Sequence, residues 1–368
     1  MFSDQLKLAT LVRGIGAPNS AYFNFLYGHN HIGTADLVGK NQDHQGYVFF
    51  TKTNCNLSAG NIAGVRKLQN LLDQDPNSLA CAVRCMLMPK RMTKGLPSES
   101  GAATEGTRCP AINDNYPFIP FLSSSLEGLS GWVDETVDFF LSAEGHAKQV
   151  YGFADFRPAF YGTFDLNASF YNREGDPHMA MFTALREYMG AAATGAINPW
   201  PESEGEFEID SNIGIFVFLT DKNKKYVQKA ASTIASLGGL PTGAGFNFNS
   251  ESVFNQENDR VNIPFKCFGV RYNDPIILDN FNKLVRRFNP RMAAVQNRGR
   301  DAPESNWGYY RGIRTLTNGS LVKIPETLRF EMNWKGYPYL NPNTSEMEWW
   351  IEKQTFDSFL NIIEEEDV

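Results

Sequence analysis

The segment Thr163-Phe164-Asp165-Leu166-Asn167-Ala168-Ser169-Phe170-Tyr171 places an apolar side chain at every second position from Phe164 to Phe170. Alternation with a period of two is typical of a β-strand that buries one face. The segment therefore predicts a half-buried strand, with its other face toward solvent or a neighbouring molecule.

A helix is predicted directly after this strand. Asp176 is a carboxylate suited to capping the helix amino terminus, and Pro177 suits the first helical position. Apolar residues then recur at helical spacing, and Gly190 marks the expected end of the helix. These apolar residues are Met179, Phe182, Leu185 and Met189.

Two longer strands and a second helix complete the central block, which runs from Tyr151 to Pro290. Residues 213–219 are apolar on both faces, which predicts an interior strand. Residues 260–272 also predict a strand, and Pro264 predicts that it lies at a sheet edge or bulge. The apolar segment between these strands fits either a helix or a strand. Asp274-Pro275 predicts a second capped helix, ending before Pro290.

The flanking regions give shorter elements. The sequence predicts a strand at 46–51, a helix at 61–72, an apolar segment at 79–88 and a loop-like insertion at 94–115. Residues 132–151 fit a helix or an arm. The C-terminal part predicts short strands at Ile313–Leu316, Leu321–Ile324 and Leu328–Trp334, followed by an amphipathic helix and an acidic tail.

Composition narrows the class of protein. The 368 residues carry a net charge of -7, which argues against a dedicated nucleic-acid binder, and only 20% are charged, which hints at assembly. The start of the chain does not resemble a signal peptide, and no apolar run is long enough to span a membrane. We therefore expect no membrane partner. Five cysteines without a CxxC pair predict buried free thiols and synthesis in a reducing cytoplasm. They are Cys55, Cys81, Cys85, Cys109 and Cys267.

Candidate chemical sites are few. His29, His31 and His44 could ligate zinc, but their spacing matches no zinc motif, and solvated loop histidines are the preferred interpretation. The glycine-rich segment 238–245 lacks the lysine of a phosphate loop and predicts a turn. Five alternating carboxylates could serve glycoside hydrolysis or calcium binding, but a solvent- or lumen-facing acidic ribbon is the preferred interpretation. They are Glu202, Glu204, Glu206, Glu208 and Asp210.

Aromatic residues near the C-terminus allow an alternative function. Trp307, Tyr309, Tyr310, Trp349 and Trp350 could stack on sugar rings, although a core or interface role is favoured. We predict no catalytic, cofactor-binding or metal-binding residue, no cofactor and no enzymatic activity.

Four groups of residues, dispersed over about 46–285, resemble a known family when taken in order. They are Gly46–Thr51 with Asn56-Leu57-Ser58, Phe164–Phe170 with Gly175-Asp176-Pro177, Lys225–Lys229 with Leu240-Pro241-Thr242, and Phe246–Asn249 through Val261–Tyr272 to Asn273-Asp274-Pro275-Ile276. They resemble the tail-tube fold of contractile-tailed bacteriophages, in the large virion structural proteins that giant phages place in the tail and baseplate.

This resemblance implies a β-rich α+β fold, a tail-tube-like sandwich or barrel with packed helices. It implies an N-terminal arm at 1–45, a tube-like domain at 46–290 and a C-terminal extension at 291–368. It also implies a homo-oligomeric, six-fold ring in the virion tail, in contact with other tail or baseplate proteins and with DNA passing through its lumen. A baseplate or tube-like ring is the main expectation. A neck or terminator ring and a carbohydrate-binding or glycoside-cleaving tail protein are the alternatives.

Overall fold

The computed structural model describes ten stretches of the chain: 45–88, 107–135, 138–155, 162–200, 209–243, 259–296, 307–310, 313–316, 321–328 and 335–366. The fold is mixed α+β and rich in strands, and it includes a sheet curled into a half-barrel. This confirms the fold class expected from the sequence.

Strands supply most of the framework. In chain order they are β1 Gln45–Phe50, β2 Leu126–Ser130, β3 Asp138–Leu141, β4 Gly152–Asp155, β5 Thr163–Tyr171, β6 Ile213–Thr220, β7 Val227–Leu237, β8 Arg260–Tyr272, β9 Trp307–Tyr310, β10 Ile313–Leu316, β11 Leu321–Lys323, β12 Tyr337–Leu340 and β13 Met347–Glu352.

The α-helices are α1 Ala59–Ile62, α2 Leu79–Leu87, α3 Pro120–Ser125, α4 Pro177–Ala193, α5 Pro275–Phe288, α6 Ala293–Gln296 and α7 Lys353–Glu366. Short 3-10 helices cover Arg66–Leu72, Pro290–Met292 and Glu326–Leu328. None of the helices described is long and apolar enough to cross a membrane.

The largest sheet has six strands in the order β1-β6-β7-β8-β5-β2. β6 is interior, as its two apolar faces predict. The ambiguous apolar segment is β7, a strand of 11 residues. A second sheet has the order β12-β13-β11-β10-β9, and β3 and β4 form a separate two-stranded sheet.

The expectation that β8 lies at an edge or bulge because of Pro264 is wrong, since β8 pairs on both sides. Pro264 lies opposite Asn167 of β5, and its carbonyl accepts the amide of Gly238 just beyond the end of β7. The carbonyl and nitrogen of one strand residue face the same side, so the missing N–H points toward the place where β7 leaves the sheet. Pro264 therefore removes little of the hydrogen bonding between β8 and its neighbouring strands.

Both proline-initiated helices form, but their caps differ. Asp274 accepts a hydrogen bond from the Ile276 amide at 2.9 Å, as a capping carboxylate should. Asp176 adopts a left-handed conformation and makes no side-chain cap, so the predicted capping role is wrong for this residue. Helix α4 also continues through Gly190 to Ala193.

Two further segments differ from the predictions. The expected helix at 61–72 is split into α1 and a 3-10 helix, because Val65 is extended between them and follows Gly64, a poor helix former. Residues 132–151 form no helix in the part described, so that alternative is wrong; they contribute β3 and the turn leading toward β4. The strand predicted at Leu328–Trp334 lies mostly outside the described residues, and Leu328 itself belongs to a 3-10 helix.

The chain divides into two compact units. One comprises the described parts of Val48–Phe216 and Ser232–Arg271. Its core contains the aromatic rings of Phe50, Phe170, Phe182 and Phe265, with Phe182 and Phe265 edge to face at 5.7 Å. Helix α4 contributes Phe182, Leu185 and Tyr188 to the buried side chains. The strands carrying the predicted alternation thus pack their apolar face against this helix.

The other unit comprises the described parts of Met1–Tyr47, Val217–Ala231 and Tyr272–Val368. Phe218 meets Phe281 of α5 edge to face at 5.0 Å. The buried Asn282 side chain donates to the Leu340 carbonyl at 2.7 Å and accepts the Leu340 amide at 3.0 Å. One side-chain amide therefore satisfies both backbone groups of a residue in β12.

Replacing Asn282 with alanine is expected to destabilise the protein by about 2–4 kcal/mol, because a buried N–H and C=O would lose their partners. Denaturant unfolding of the purified variant measures this loss. The matched control is Asn280→Ala, an exposed position on the same helix. Equal stability of the two variants would contradict the stabilising role of the hydrogen bonds between Asn282 and Leu340.

Candidate functional site

The hairpin formed by β3 and β4 is the most exposed apolar feature that the structure describes. Its strands pair antiparallel, with Phe140 opposite Phe153 and Phe139 opposite Ala154. Beyond them the Ser142 amide donates to the Tyr151 carbonyl at 2.8 Å, so the pairing continues toward the turn. The register of this pairing therefore defines which side chains share each face of the hairpin.

Both faces of this hairpin are apolar. Phe140 and Phe153 share one face and are 59% and 72% exposed; Phe139 and Leu141 share the other and are 63% and 71% exposed. Exposed apolar side chains are ordinary when scattered, but a cluster marks a surface for interaction. A lone two-stranded hairpin is also only marginally stable in water. Contact with another surface would bury the apolar side chains and would also stabilise the pairing of the two strands.

The exposed face of β5 and β8 has a different character. Asp165 lies opposite Lys266 and forms an ion pair with it at 2.8 Å. Arg260 pairs with Glu127 of β2 at 2.8 Å. These two ion pairs neutralise four charges, and Arg271 of β8 adds one further exposed basic side chain. The face mixes ion pairs with the partly exposed rings of Tyr171 and Phe268, whereas the hairpin exposes apolar side chains on both faces.

The acidic ribbon is not supported at its last residue. Glu202, Glu204, Glu206 and Glu208 lie outside the described residues. Asp210 lies in a turn after the exposed Ile209 and is buried, so the prediction that it faces solvent or a lumen is wrong. Its carboxylate accepts a hydrogen bond from the Tyr188 hydroxyl, which in turn accepts the Asn56 amide at 3.0 Å. Burial raises the pKa of Asp210.

Several other candidates are structural. Trp349 and Trp350 are buried, so they do not present a sugar-stacking surface. The described part of the glycine-rich segment turns at Thr242 and Gly243, as predicted. The histidines at 29, 31 and 44 lie outside the described residues, as do the side chains of Trp307, Tyr309 and Tyr310. Within the described stretches, no group of three or more His, Cys, Asp or Glu side chains could hold a metal ion.

Lys52 is a buried titratable side chain for which the sequence analysis made no prediction. Its ammonium donates to the Asn113 carbonyl at 2.7 Å. Desolvation lowers its pKa to about 8, partly offset by the charge of Asp114. Arg108 binds the Asp114 carboxylate and donates to the Met88 carbonyl at 2.8 Å. These contacts fasten residues 107–117 to the body of the unit, which is a structural role.

A buried Ser125–His178 pair resembles a nucleophile and base only in composition. The His178 Nε2 lies 2.6 Å from the Ser125 hydroxyl, which donates its proton to the Phe121 carbonyl. The serine proton is therefore engaged away from the imidazole. The ring is fully buried between Phe121 and Phe170, and its Nδ1 is among the buried polar atoms without a hydrogen-bond partner. Desolvation, with a contribution from Arg173, lowers the pKa of His178.

The lowered pKa predicts a pH dependence of stability. The unfolded chain binds a proton at His178 more readily than the folded protein, so folding stability falls as pH drops below about 6.5. The slope from this group is at most about 1.4 kcal/mol per pH unit. His178→Phe should remove that component from unfolding curves recorded between pH 5 and 8. The exposed His146→Asn is the control, and a variant at His178 with an unchanged slope would contradict the prediction.

These observations describe a β-rich protein whose exposed apolar hairpin suits contact with another molecule. Residues 3–364 match the model of the family described as "Putative phage tail tube protein". The match covers almost the whole chain, so the chain belongs to this family of phage tail structural proteins and its place is the virion tail. This confirms the resemblance found in the sequence.

Two solved structures show weaker likeness. The anti-feeding prophage cap, an AFP tube terminating cap seen by cryo-EM, is 15% identical with a TM-score of 0.25, and the match covers 42% of this chain and 81% of that one. The sheath/tube terminator of PVC, an extracellular contractile injection system in its extended state, is 11% identical with a TM-score of 0.23, covering 42% and 86%. At these TM-scores neither likeness argues for a function. No curated protein matches the chain.

Proposed function

We propose that this chain is a non-enzymatic subunit of a closed ring around the axis of a contractile phage tail. The observation that carries the proposal is the β3–β4 hairpin, whose two apolar faces have no cover within the described part of the chain. A neighbouring copy that receives the hairpin would bury Phe139, Phe140, Leu141 and Phe153. The family supports the tail as the setting.

A ring follows from contacts between unlike surfaces. When one copy's hairpin enters a different surface on the next copy, each copy keeps one donor and one acceptor surface, and the series closes into a ring if the rotation fits. Strand β2 also lies at one end of the six-stranded sheet, where a neighbouring strand can add. Six copies are the number that the resemblance to tail-tube proteins implies.

The station in the tail that we favour is the baseplate or a tube-like ring at the tail end. In this proposal residues 46–290 form the tube-like body, with an insertion at 94–115. Residues 1–45 and 291–368 provide contacts with other tail proteins beyond those a simple tube repeat needs. A neck or tail-terminator ring is the alternative station. The subunit would be made in the host cytoplasm and then incorporated into the tail.

A lumen that passes DNA requires a surface that does not hold phosphates. We propose that the exposed face of β5 and β8 serves this role, because the Asp165–Lys266 and Glu127–Arg260 ion pairs neutralise two of its basic side chains and so weaken their attraction for phosphates. Glu202, Glu204, Glu206 and Glu208 would add negative charge to the same lumen.

The test is the mass of the purified full-length chain by light scattering across concentration, followed by electron microscopy of the particles. We expect rings or stacked rings, with the copy number read from the images. A chain that stays monomeric at high concentration, alone and with the other tail proteins of the same phage, would contradict the ring. An oligosaccharide bound tightly by such a monomer would favour the carbohydrate-binding alternative.

A further inference from the structure

Three buried thiols lie together in the unit that contains Val48–Phe216. Cys81 and Cys85 lie on α2, and Cys109 follows the segment that returns to this helix. All three are free cysteines in the structure. The side chains of Ala82 and Ile112 pack around them. Such a cluster differs from other small buried residues, because an oxidant can convert two neighbouring thiols into a disulfide.

Residues 107–109 are attached to α2 by three hydrogen bonds. The Cys109 amide donates to the Cys85 sulfur at 3.2 Å. The Cys81 thiol donates to the Thr107 carbonyl at 3.4 Å, and the buried Arg84 guanidinium donates to the same oxygen. The backbone of Cys109 is therefore held directly against the Cys85 sulfur.

Geometry separates the possible pairs. Cys81 and Cys85 are four residues apart on one helix, where Cβ atoms are about 5–6 Å apart. A disulfide needs a Cβ–Cβ distance of roughly 3.5–4.5 Å, so this pair cannot close without distorting α2. Cys109 is placed differently. Its backbone amide donates to the Cys85 sulfur, so its Cβ, two bonds from that nitrogen, also lies close to this sulfur. The Cys81 thiol donates to Thr107, not to Cys109, so Cys85 and Cys109 are the pair that a described contact joins directly.

We propose that Cys85 and Cys109 form a disulfide when the protein leaves a reducing compartment. A low-molecular-weight disulfide such as oxidised glutathione is the oxidant. The Cys85 thiolate attacks one sulfur of glutathione disulfide, releasing one reduced glutathione and leaving a mixed disulfide. The Cys109 thiolate then attacks the Cys85 sulfur and releases the second glutathione. Two thiols lose two protons and two electrons, and one glutathione disulfide becomes two reduced glutathione molecules.

The new bond would join α2 covalently to residues 107–109 and would close the loop between Cys85 and Cys109. It would replace non-covalent contacts that now hold the return segment in place. Burial of both thiols makes the exchange slow, because it requires local opening before a thiolate can attack. Cys81 lies one helical turn from Cys85 and its thiol is bonded to Thr107, so this geometry leaves Cys81 outside the proposed pair.

The experiment incubates the full-length folded protein with oxidised glutathione or with dithiothreitol. Free thiols are then blocked under denaturing conditions, and the peptides are mapped by mass spectrometry. The expected product is a cross-linked peptide pair containing Cys85 and Cys109, with a mass lower by two hydrogen atoms. Closing this loop should also raise Tm by roughly 5 °C. A folded protein carrying only glutathione adducts, or a Cys81–Cys85 link, would overturn the proposal.

Variants make the assignment specific. Cys85→Ala and Cys109→Ala should each abolish the cross-link and the rise in Tm, whereas the matched control Cys81→Ala should retain both. Circular dichroism before oxidation checks that each variant is folded. Because peptide mapping of the unaltered chain gives the pairing by itself, a variant that fails to fold does not remove the test.

Discussion

Rings are expected to be lost when Phe140 and Phe153 are both replaced by serine. These two side chains form one face of the hairpin and are largely exposed in the isolated chain. If a neighbouring copy covers them, each contributes about 1.5–3 kcal/mol to the contact. Their joint loss therefore raises the protein concentration needed for assembly by roughly 10²–10⁴-fold. Light scattering measures this shift, and electron microscopy shows whether rings remain.

The stability of the subunit provides the internal check. Because both side chains are exposed before assembly, the double variant should unfold at nearly the same denaturant concentration as the unaltered monomer. Ile276→Ser is the control, since this residue is 49% exposed and belongs to α5 instead of the hairpin. The control should still assemble. Rings formed by the double variant at the original concentration would show that the hairpin does not carry the contact.

Tyr188→Phe is expected to cost about 3 kcal/mol of folding stability. The hydroxyl donates to the Asp210 carboxylate and accepts the Asn56 amide at 3.0 Å, and both tyrosine and aspartate are buried. Removing one oxygen leaves a buried carboxylate without this donor and a buried amide without its acceptor. Urea unfolding near neutral pH gives the size of the loss.

The same variant should show a pH dependence with a definite sign. Burial already raises the pKa of Asp210, and loss of the tyrosine donor should raise it further. The ionised carboxylate bears the cost, so the deficit of the variant should be greatest above the folded pKa of Asp210 and shrink as pH falls through it. The control is Tyr171→Phe, the same change at an exposed tyrosine. A deficit equal to that of the control would contradict the role of Tyr188.

The spacing of apolar residues along the sequence correctly predicted those strands whose apolar side chains are buried within the fold. Strand β5 has the limits that its alternation predicts, and the run of apolar side chains in β6 placed it inside the sheet. The edge or bulge predicted from Pro264 was wrong for a physical reason. Proline is excluded from interior strands only where its missing N–H would have bonded a neighbouring strand, and the sequence does not show where that N–H would point. That direction depends on where β7 ends, which is a property of another strand.

The hairpin could not be recognised as a contact surface from its residues alone. Phe139, Phe140 and Leu141 are consecutive, so they lack the alternation that marks a strand with one wet face. Consecutive apolar residues equally fit a buried helix or an interior strand. Only the exposure of both faces distinguishes this segment, and exposure depends on the rest of the fold.

Asp210 shows a related limit. The alternation of five carboxylates assumes that residues 202–210 are extended throughout, whereas the chain turns at Asp210 and its carboxylate meets Tyr188 from α4. A tyrosine distant in sequence thus decides the environment of the last acidic residue. The family resemblance was easier to predict, because it rests on the order of many elements and tolerates an error in any one.

The turn that follows β7 offers a practical means of locating the subunit in an intact virion. Thr242 and Gly243 are exposed, and a side chain built at Gly243 would meet no atom within 4 Å. Because the Gly238 amide still bonds the Pro264 carbonyl of β8 and the turn lies beyond this contact, a short peptide tag inserted between these two residues should leave the strand register undisturbed. Antibody-bound gold on such a tag would mark the level of the tail at which this protein resides.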